Sequence, residues 1–203
     1  PIIWSEYNAT YMTQQEVTDS AFMGPWLANN IRECDGLANI MSYWTFSDVF
    51  EEQGVVKTPF YGGYGVIAEG GIPKAAFHVF ELLHRLGDSR IAIQSENAIA
   101  TKRNDGTLVL ALWNYAEPGE KVRPRTFRLD VKASRATRYR MQFVDPDHGS
   151  ALKAWQRMGG PVNPGLPEIR QLIKESGLDP AQERPIGEPV TIAAQGLAVI
   201  ELR

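Results

Sequence analysis

Cysteine is almost absent from this chain of 203 residues: Cys34 stands alone, so no intrachain disulfide can form and no cysteine metal site can be built. A plain structural thiol fits Cys34 best and is compatible with a reducing compartment, which favours the cytoplasm. Any signal peptide would lie upstream of Pro1, where the chain enters strand-like sequence without an initiator Met, as a mature protein or a piece of a longer one would. Long apolar runs are missing too. Nothing approaches the ~18–20 residues of a membrane span, so no membrane partner is expected. Nor is there an excess of positive charge: 21 Lys and Arg stand against 24 Asp and Glu, a net charge of −3. Phosphate recognition needs clustered cations, so no nucleic-acid partner is expected. The basic clusters at 121–125 and 135–140 read as strand edges or solvated faces.

Several chemistries are excluded in the same way. There is no GxGxxG and no P-loop; Gly62-Gly63-Tyr64-Gly65 lacks the strand-turn-helix setting and the Lys that phosphate binding requires. The three histidines, His78, His84 and His148, are scattered, and none pairs with a Ser or Cys motif. Asp145-Pro146-Asp147-His148 reads as an acidic turn rather than a metal site. No repeat of fixed period and no low-complexity tract is visible.

What is present is an ordinary globular balance, 43% hydrophobic and 22% charged, enough for one large domain or two small ones. Residues 1–4 read as a short buried strand, with 5–10 as its loop. A helix capped by Asp19 or Ser20 is expected to run to about Cys34, with Pro25 tolerated only near its first turn. Asp35-Gly36 offers the stop. Residues 37–46 are apolar and aromatic, as in a strand buried on both faces of a parallel sheet. A long loop over 47–71, rich in Gly and aromatics, precedes a helix over 74–86 whose buried stripe is Ala76, Phe77, Phe80, Leu83 and Leu86. Strand, helix, strand, helix is the order of βα units.

After about Asp88 the pattern changes. Strands are expected over 91–102 and 107–115, joined at Asn104-Asp105-Gly106, a strong hairpin signal. Others are expected over 126–131, 137–143, 190–193 and 197–202, with short helices near 151–158 and 168–176. This half reads as an antiparallel β-sandwich with a small helical insertion near 150–177. The expected division is therefore 1–88 and 89–203.

Two places carry candidate chemistry. Glu6 follows a short apolar run, where a strand of a βα barrel would deliver a carboxylate to the active-site face. Tyr7 and Asn8 lie near enough in sequence to orient it. Trp44 ends the next strand, where an indole face suits the C–H face of a sugar. Glu51 and Glu52 would accept hydrogen bonds from sugar hydroxyls, with Asp48 bracing the loop. Glycoside hydrolysis uses two carboxyl groups, one as acid/base and one as nucleophile or base. On residue chemistry alone, an acid after a strand is more often a solvated loop residue, and Trp44 more often a core residue.

At these residues the chain resembles family 39 glycoside hydrolases, specifically the bacterial β-xylosidases. The resembling stretches are IWSEYNATYM, DSAFMGPWLA, the block from MSYWTFSDVFEEQG to FELLHRLG, LALWNY, the DPDHG turn, MGGPVNP and the closing GLAVIEL. They span nearly the whole chain, and SYWTFSDVFEE is the most specific.

The resemblance implies the C-terminal part of a (β/α)8 TIM barrel, from strand seven onward, followed by the sandwich. It implies Glu6 as the nucleophile of a retaining enzyme. It implies Trp44, Glu51 and Glu52 as contacts to a xylose-containing oligosaccharide, and neither metal nor organic cofactor. The family's acid/base, in an Asn-Glu-Pro motif, has no match: Glu117-Pro118 and Glu188-Pro189 lack the Asn and lie in the sandwich half. A missing N-terminal barrel portion is thus an expected partner, the isolated chain is expected to be inactive, and association into a homo-oligomer stays open. Two alternatives remain. One is a non-catalytic carbohydrate-binding or assembly module. The other is an α-L-iduronidase-like specificity, which Glu51 and Glu52 oppose because that substrate is itself an anion.

Overall fold

A computed structural model describes residues 1–50, 54–56, 58–131 and 136–203. Strand β1 (Ile3–Tyr7) leads through helices α1 (Gln15–Thr18) and α2 (Met23–Cys34) to strand β2 (Ile40–Tyr43). The two strands pair in parallel, Ile3 against Ile40 and Trp4 against Met41, so this is a βαβ unit. Helix α2 starts later than its Asp19 signal suggests. Pro25 falls in its first turn, where a missing N–H breaks no intrahelical bond. The helix buries Met23, Leu27 and Ala28, and the chain leaves it at Gly36 with φ +78°.

The expectation of two buried strands is corrected. Ile2 is 61% exposed, Trp4 54% and Ile40 53%. Burial on both faces requires flanking strands and a covered second face. Among the described residues this parallel sheet has two strands, and only Tyr7 and Tyr43 reach the helix-side core.

At the end of the expected loop, strands β3 (Ile67–Ala68) and, just past it, β4 (Ile72–Pro73) make a tight hairpin, followed by helix α3 (Ala75–Leu83). The buried stripe of α3 is turned from the expected one: Ala75, Ala76, Val79, Leu82 and Leu83 are buried, while Phe77, Phe80 and Leu86 pack at its margin.

The second half runs β5 (Ser89–Ile91), β6 (Ala98–Lys102), β7 (Leu108–Asn114), β8 (Arg125–Phe127), β9 (Arg138–Val144), α4 (Leu152–Arg157), α5 (Leu166–Ser176), β10 (Gln182–Pro185), β11 (Val190–Ile192) and β12 (Gly196–Leu202). Six strands form an antiparallel sheet in the order β10-β9-β12-β7-β6-β5, and β8 pairs with β11 separately. The hairpin between β6 and β7 turns at Gly106 (φ +88°), and Asp105 Oδ1 accepts the Thr107 N–H at 2.8 Å.

Side chains alternate across the large sheet with the period of two that a strand imposes. Val109, Ala111, Trp113, Leu197 and Val199 share a core with α2 and α3. Leu112, Ala198, Ile200 and Leu202 share another with Val190 and Ile192 of β11. The sandwich is therefore asymmetric, with six strands covered by two on one face and by the barrel helices on the other. The architecture is the C-terminal part of a (β/α)8 barrel followed by an antiparallel β-sandwich.

The insertion of α4 and α5 reaches back to the first half. Leu152, Ala154 and Leu172 share a core with Phe60, Ala68 and Ile72. Gln156 Nε2 donates to Gln15 Oε1 at 3.4 Å, and Thr58 Oγ1 donates to the Pro161 carbonyl at 3.4 Å. Among the described residues no helix is long and apolar enough to cross a membrane.

Candidate active-site cleft

Because β1 and β2 are parallel neighbours, both deliver their C-terminal residues to one side. A cleft of about 640 Å³ opens there, lined by Glu6, Tyr7, Asn8, Ala9, Thr10, Tyr11, Trp44 and Tyr64. Glu6 is the penultimate residue of β1 rather than part of a loop that begins at Ser5, which corrects the expected placement. The strand runs further because its pairing does: Tyr7 sits opposite Tyr43, and the Trp44 N–H donates to the Tyr7 carbonyl at 2.9 Å. Alternation puts Glu6 on the face opposite Tyr7, and Glu6 is exposed to solvent.

Tyr7 points its ring into the helix layer, stacked on Trp26 at 5.9 Å and edge-on to Tyr43 at 5.9 Å. Burial raises its pKa. It props the strand from behind. Asn8 is a clip: its side-chain amide donates to the carbonyls of Trp44 and Tyr64, while its Oδ1 accepts the Ala9 N–H at 2.6 Å. One side chain thus ties the end of β1 to the end of β2 and to the glycine-rich loop. Trp44 follows β2 directly, its peptide bond to Thr45 is cis, and its ring meets Phe50 edge-on at 5.4 Å. Glu51 and Glu52 lie outside the described residues.

Asp48 is in no contact with solvent. It forms a buried cluster with Lys74, at the N-cap position of α3, and Asp19, just after α1; all three side chains are fully buried. Lys74 Nζ lies 2.6 Å from Asp19 Oδ1 and 3.1 Å from both Asp48 oxygens, and donates to the Gly63 carbonyl at 2.8 Å. The Gly62 N–H donates to Asp19 Oδ2 at 2.6 Å, and the Gly65 N–H to Asp48 Oδ1 at 2.7 Å. Burial, reinforced by the Asp48 charge and opposed by Lys74, pushes the Asp19 carboxyl up to about 6. Burial likewise raises Asp48 against the pull of Lys74. Two carboxyls sharing one cation leave a carboxyl that gives up its proton late.

Sequence reasoning missed Lys74 and Asp19. Asp19 has the residue type and position of a helix cap, and Lys74 that of a solvated first turn. The available signal was the loop itself: three glycines around Tyr64 mark a backbone that its neighbours approach closely, the backbone of Thr13-Gln14 at Gly62, the Asp48 carboxylate at Gly63 and the backbone of Ser47-Asp48 at Gly65. No group of His, Cys, Asp and Glu able to hold a metal occurs among the described residues. Asp145 Oδ1 accepts the His148 N–H at 3.0 Å and lies 2.8 Å from its Nδ1, which closes the DPDHG turn.

Glu6 and Trp44 thus stand at the mouths of adjacent parallel strands, on a βαβ unit backed by a β-sandwich. The chain belongs to glycosyl hydrolases family 39, whose model matches residues 1–195. It is 35% identical over 173 residues to a beta-xylosidase of Geobacillus stearothermophilus, covering 85% of this chain and 34% of that protein. It is 27% identical over 185 residues to a beta-xylosidase of Caldicellulosiruptor saccharolyticus, covering 88% of this chain and 38% of that one. Among solved structures, the GH39 enzyme from Xanthomonas axonopodis pv. citri superposes with a TM-score of 0.85 at 21% identity, covering all of this chain and 44% of that one. The chain thus spans between a third and a half of the length of the relatives it matches.

Proposed function

We propose that this chain carries the nucleophile half of a retaining β-xylosidase. The observation that carries the reading is that Glu6 and Trp44, from two parallel strands, line one open cleft. In this reading the Glu6 carboxylate attacks the anomeric carbon of a xyloside while the sugar packs on the Trp44 indole. A carboxylic acid outside these residues protonates the leaving oxygen. Water then attacks the covalent xylosyl-enzyme ester, and the product keeps its anomeric configuration. Asn8 holds the two strand ends in register. Glu51 and Glu52 favour a neutral pentose over an anionic sugar. The active site is completed by barrel strands contributed from outside the chain, which would also cover Ile2, Trp4 and Ile40.

The test is the configuration of the first product. Proton NMR of the full-length protein acting on an aryl β-xyloside should show β-xylose before mutarotation, and Glu6→Gln should abolish turnover. First formation of α-xylose, or activity surviving in Glu6→Gln, would refute the assignment. The absence of an acid/base motif from these residues favours a second reading, a carbohydrate-binding module. Saturable binding of xylobiose by the full-length protein without any turnover would select it.

A further inference from the structure

We infer that Lys74, Asp19 and Asp48 form a positioning device for the cleft, acting through Tyr64; this rests on the xylosidase reading above. The cluster grips a single short loop. Gly62 is held by Asp19, the Gly63 carbonyl by Lys74, and Gly65 by Asp48, so the backbone on both sides of Tyr64 is fixed by a buried charge. The three protons of the Lys74 ammonium go to both Asp48 oxygens and the Gly63 carbonyl, and its charge lies 2.6 Å from Asp19 Oδ1.

The glycines are the counterpart of this grip. A Cβ on Gly63 would lie 2.5 Å from the Asp48 carboxylate, and one on Gly65 would lie 2.3 Å from the Asp48 backbone nitrogen. Four residues containing three glycines would otherwise have more conformational freedom than any ordinary loop.

Tyr64 passes the constraint to both walls of the cleft. Its carbonyl accepts the Thr45 N–H at 2.9 Å, just beyond Trp44, and the Asn8 amide at 3.2 Å, two residues beyond Glu6. Its hydroxyl donates to the Tyr11 carbonyl at 2.6 Å on the rim. The residues that set the spacing between Glu6 and Trp44 therefore meet at Tyr64.

Stability does not account for the cluster. A buried ion pair seldom stabilises more than well-packed apolar residues would, and this one holds two acids against one base. What it supplies is directed geometry: donors and acceptors that place backbone groups which apolar side chains cannot address.

The experiment uses the full-length protein and its Lys74→Met and Gly63→Ala variants. An activated 2-deoxy-2-fluoro-xyloside traps the glycosyl-enzyme ester, and peptide mass analysis counts the sites labelled on Glu6, so kcat/KM can be expressed per competent site. A merely structural role lowers the number of labelled sites and leaves kcat/KM per site unchanged. The positioning role lowers kcat/KM per site about 10- to 100-fold in Lys74→Met, as displacement of a reacting centre does.

Gly63→Ala presses on Asp48 with every charge kept. It should lose activity per site in the same direction, and it decides the matter alone if Lys74→Met does not fold. Values per site within about twofold of wild type in a labelled variant would overturn the inference. If the wild-type protein takes no label on Glu6, the xylosidase reading itself fails and the inference falls with it.

Discussion

Replacing Asp19 by Asn should remove a pH dependence of stability that the native chain carries. The folded-state pKa of Asp19 is about 6, raised from 3.8. Folding therefore takes up a proton between those values, and the native state is favoured at the acid end. The stabilisation is fully present below about 3.8 and is lost as pH rises through about 6.

With those two values, linkage gives about 3 kcal/mol between the extremes, of which about 1 kcal/mol falls between pH 5 and pH 8. The groups that face Asp19 are Lys74, Asp48, Tyr43 and Tyr61. Burial holds both tyrosines above their ordinary values, Tyr61 at about 12, so neither titrates in this window. Asp48 is raised as well and adds a contribution of the same sign. For that reason the quantity to compare is the difference between wild type and Asp19→Asn at each pH.

Urea unfolding at pH 5, 6, 7 and 8 measures it. The gap in stability between wild type and variant should shift towards the wild type by about 1 kcal/mol on going from pH 8 to pH 5. A gap that does not change with pH, or one that shifts towards the variant in acid, would refute the charge balance assigned to the cluster.

Trp44→Ala should raise KM for xylosides about 3- to 10-fold, since one aromatic stacking contact contributes about 0.5–1.5 kcal/mol; an unchanged KM would remove the indole from the sugar site. Leu172→Ala should cost about 2–5 kcal/mol in denaturant unfolding, because this fully buried side chain anchors α5 on Ala68 and Ile72. The 203-residue chain assayed alone should not hydrolyse an aryl xyloside. Loss of the acid/base costs about 10²–10⁴-fold and loss of the remaining pocket more. Turnover by the chain near the rate of complete enzymes would contradict that division of labour.

Strands β7 and β12 were legible because their apolar content and the Asn104-Asp105-Gly106 turn are local signals. Strand β10 was not: Gln-Glu-Arg-Pro has no apolar alternation, and it is a strand because its backbone pairs with β9 at the sheet edge. The neighbourhood of Glu6 and Trp44 was legible because each residue ends an apolar run. Exposure of β1 and β2 was not, since the same runs suit a strand covered on both faces. Asp19 shows the deeper reason for what stayed hidden. Its residue type and position suit a cap, and only its meeting with Lys74, far along the chain, makes it a buried half of an ion pair.

The central claim is that Glu6 is the nucleophile, and trapping tests it most directly. The full-length protein treated with an activated 2-deoxy-2-fluoro-β-xyloside should yield one modified peptide, with the sugar esterified to Glu6. A sugar ester on any other carboxylate, with Glu6 unmodified, would contradict the account.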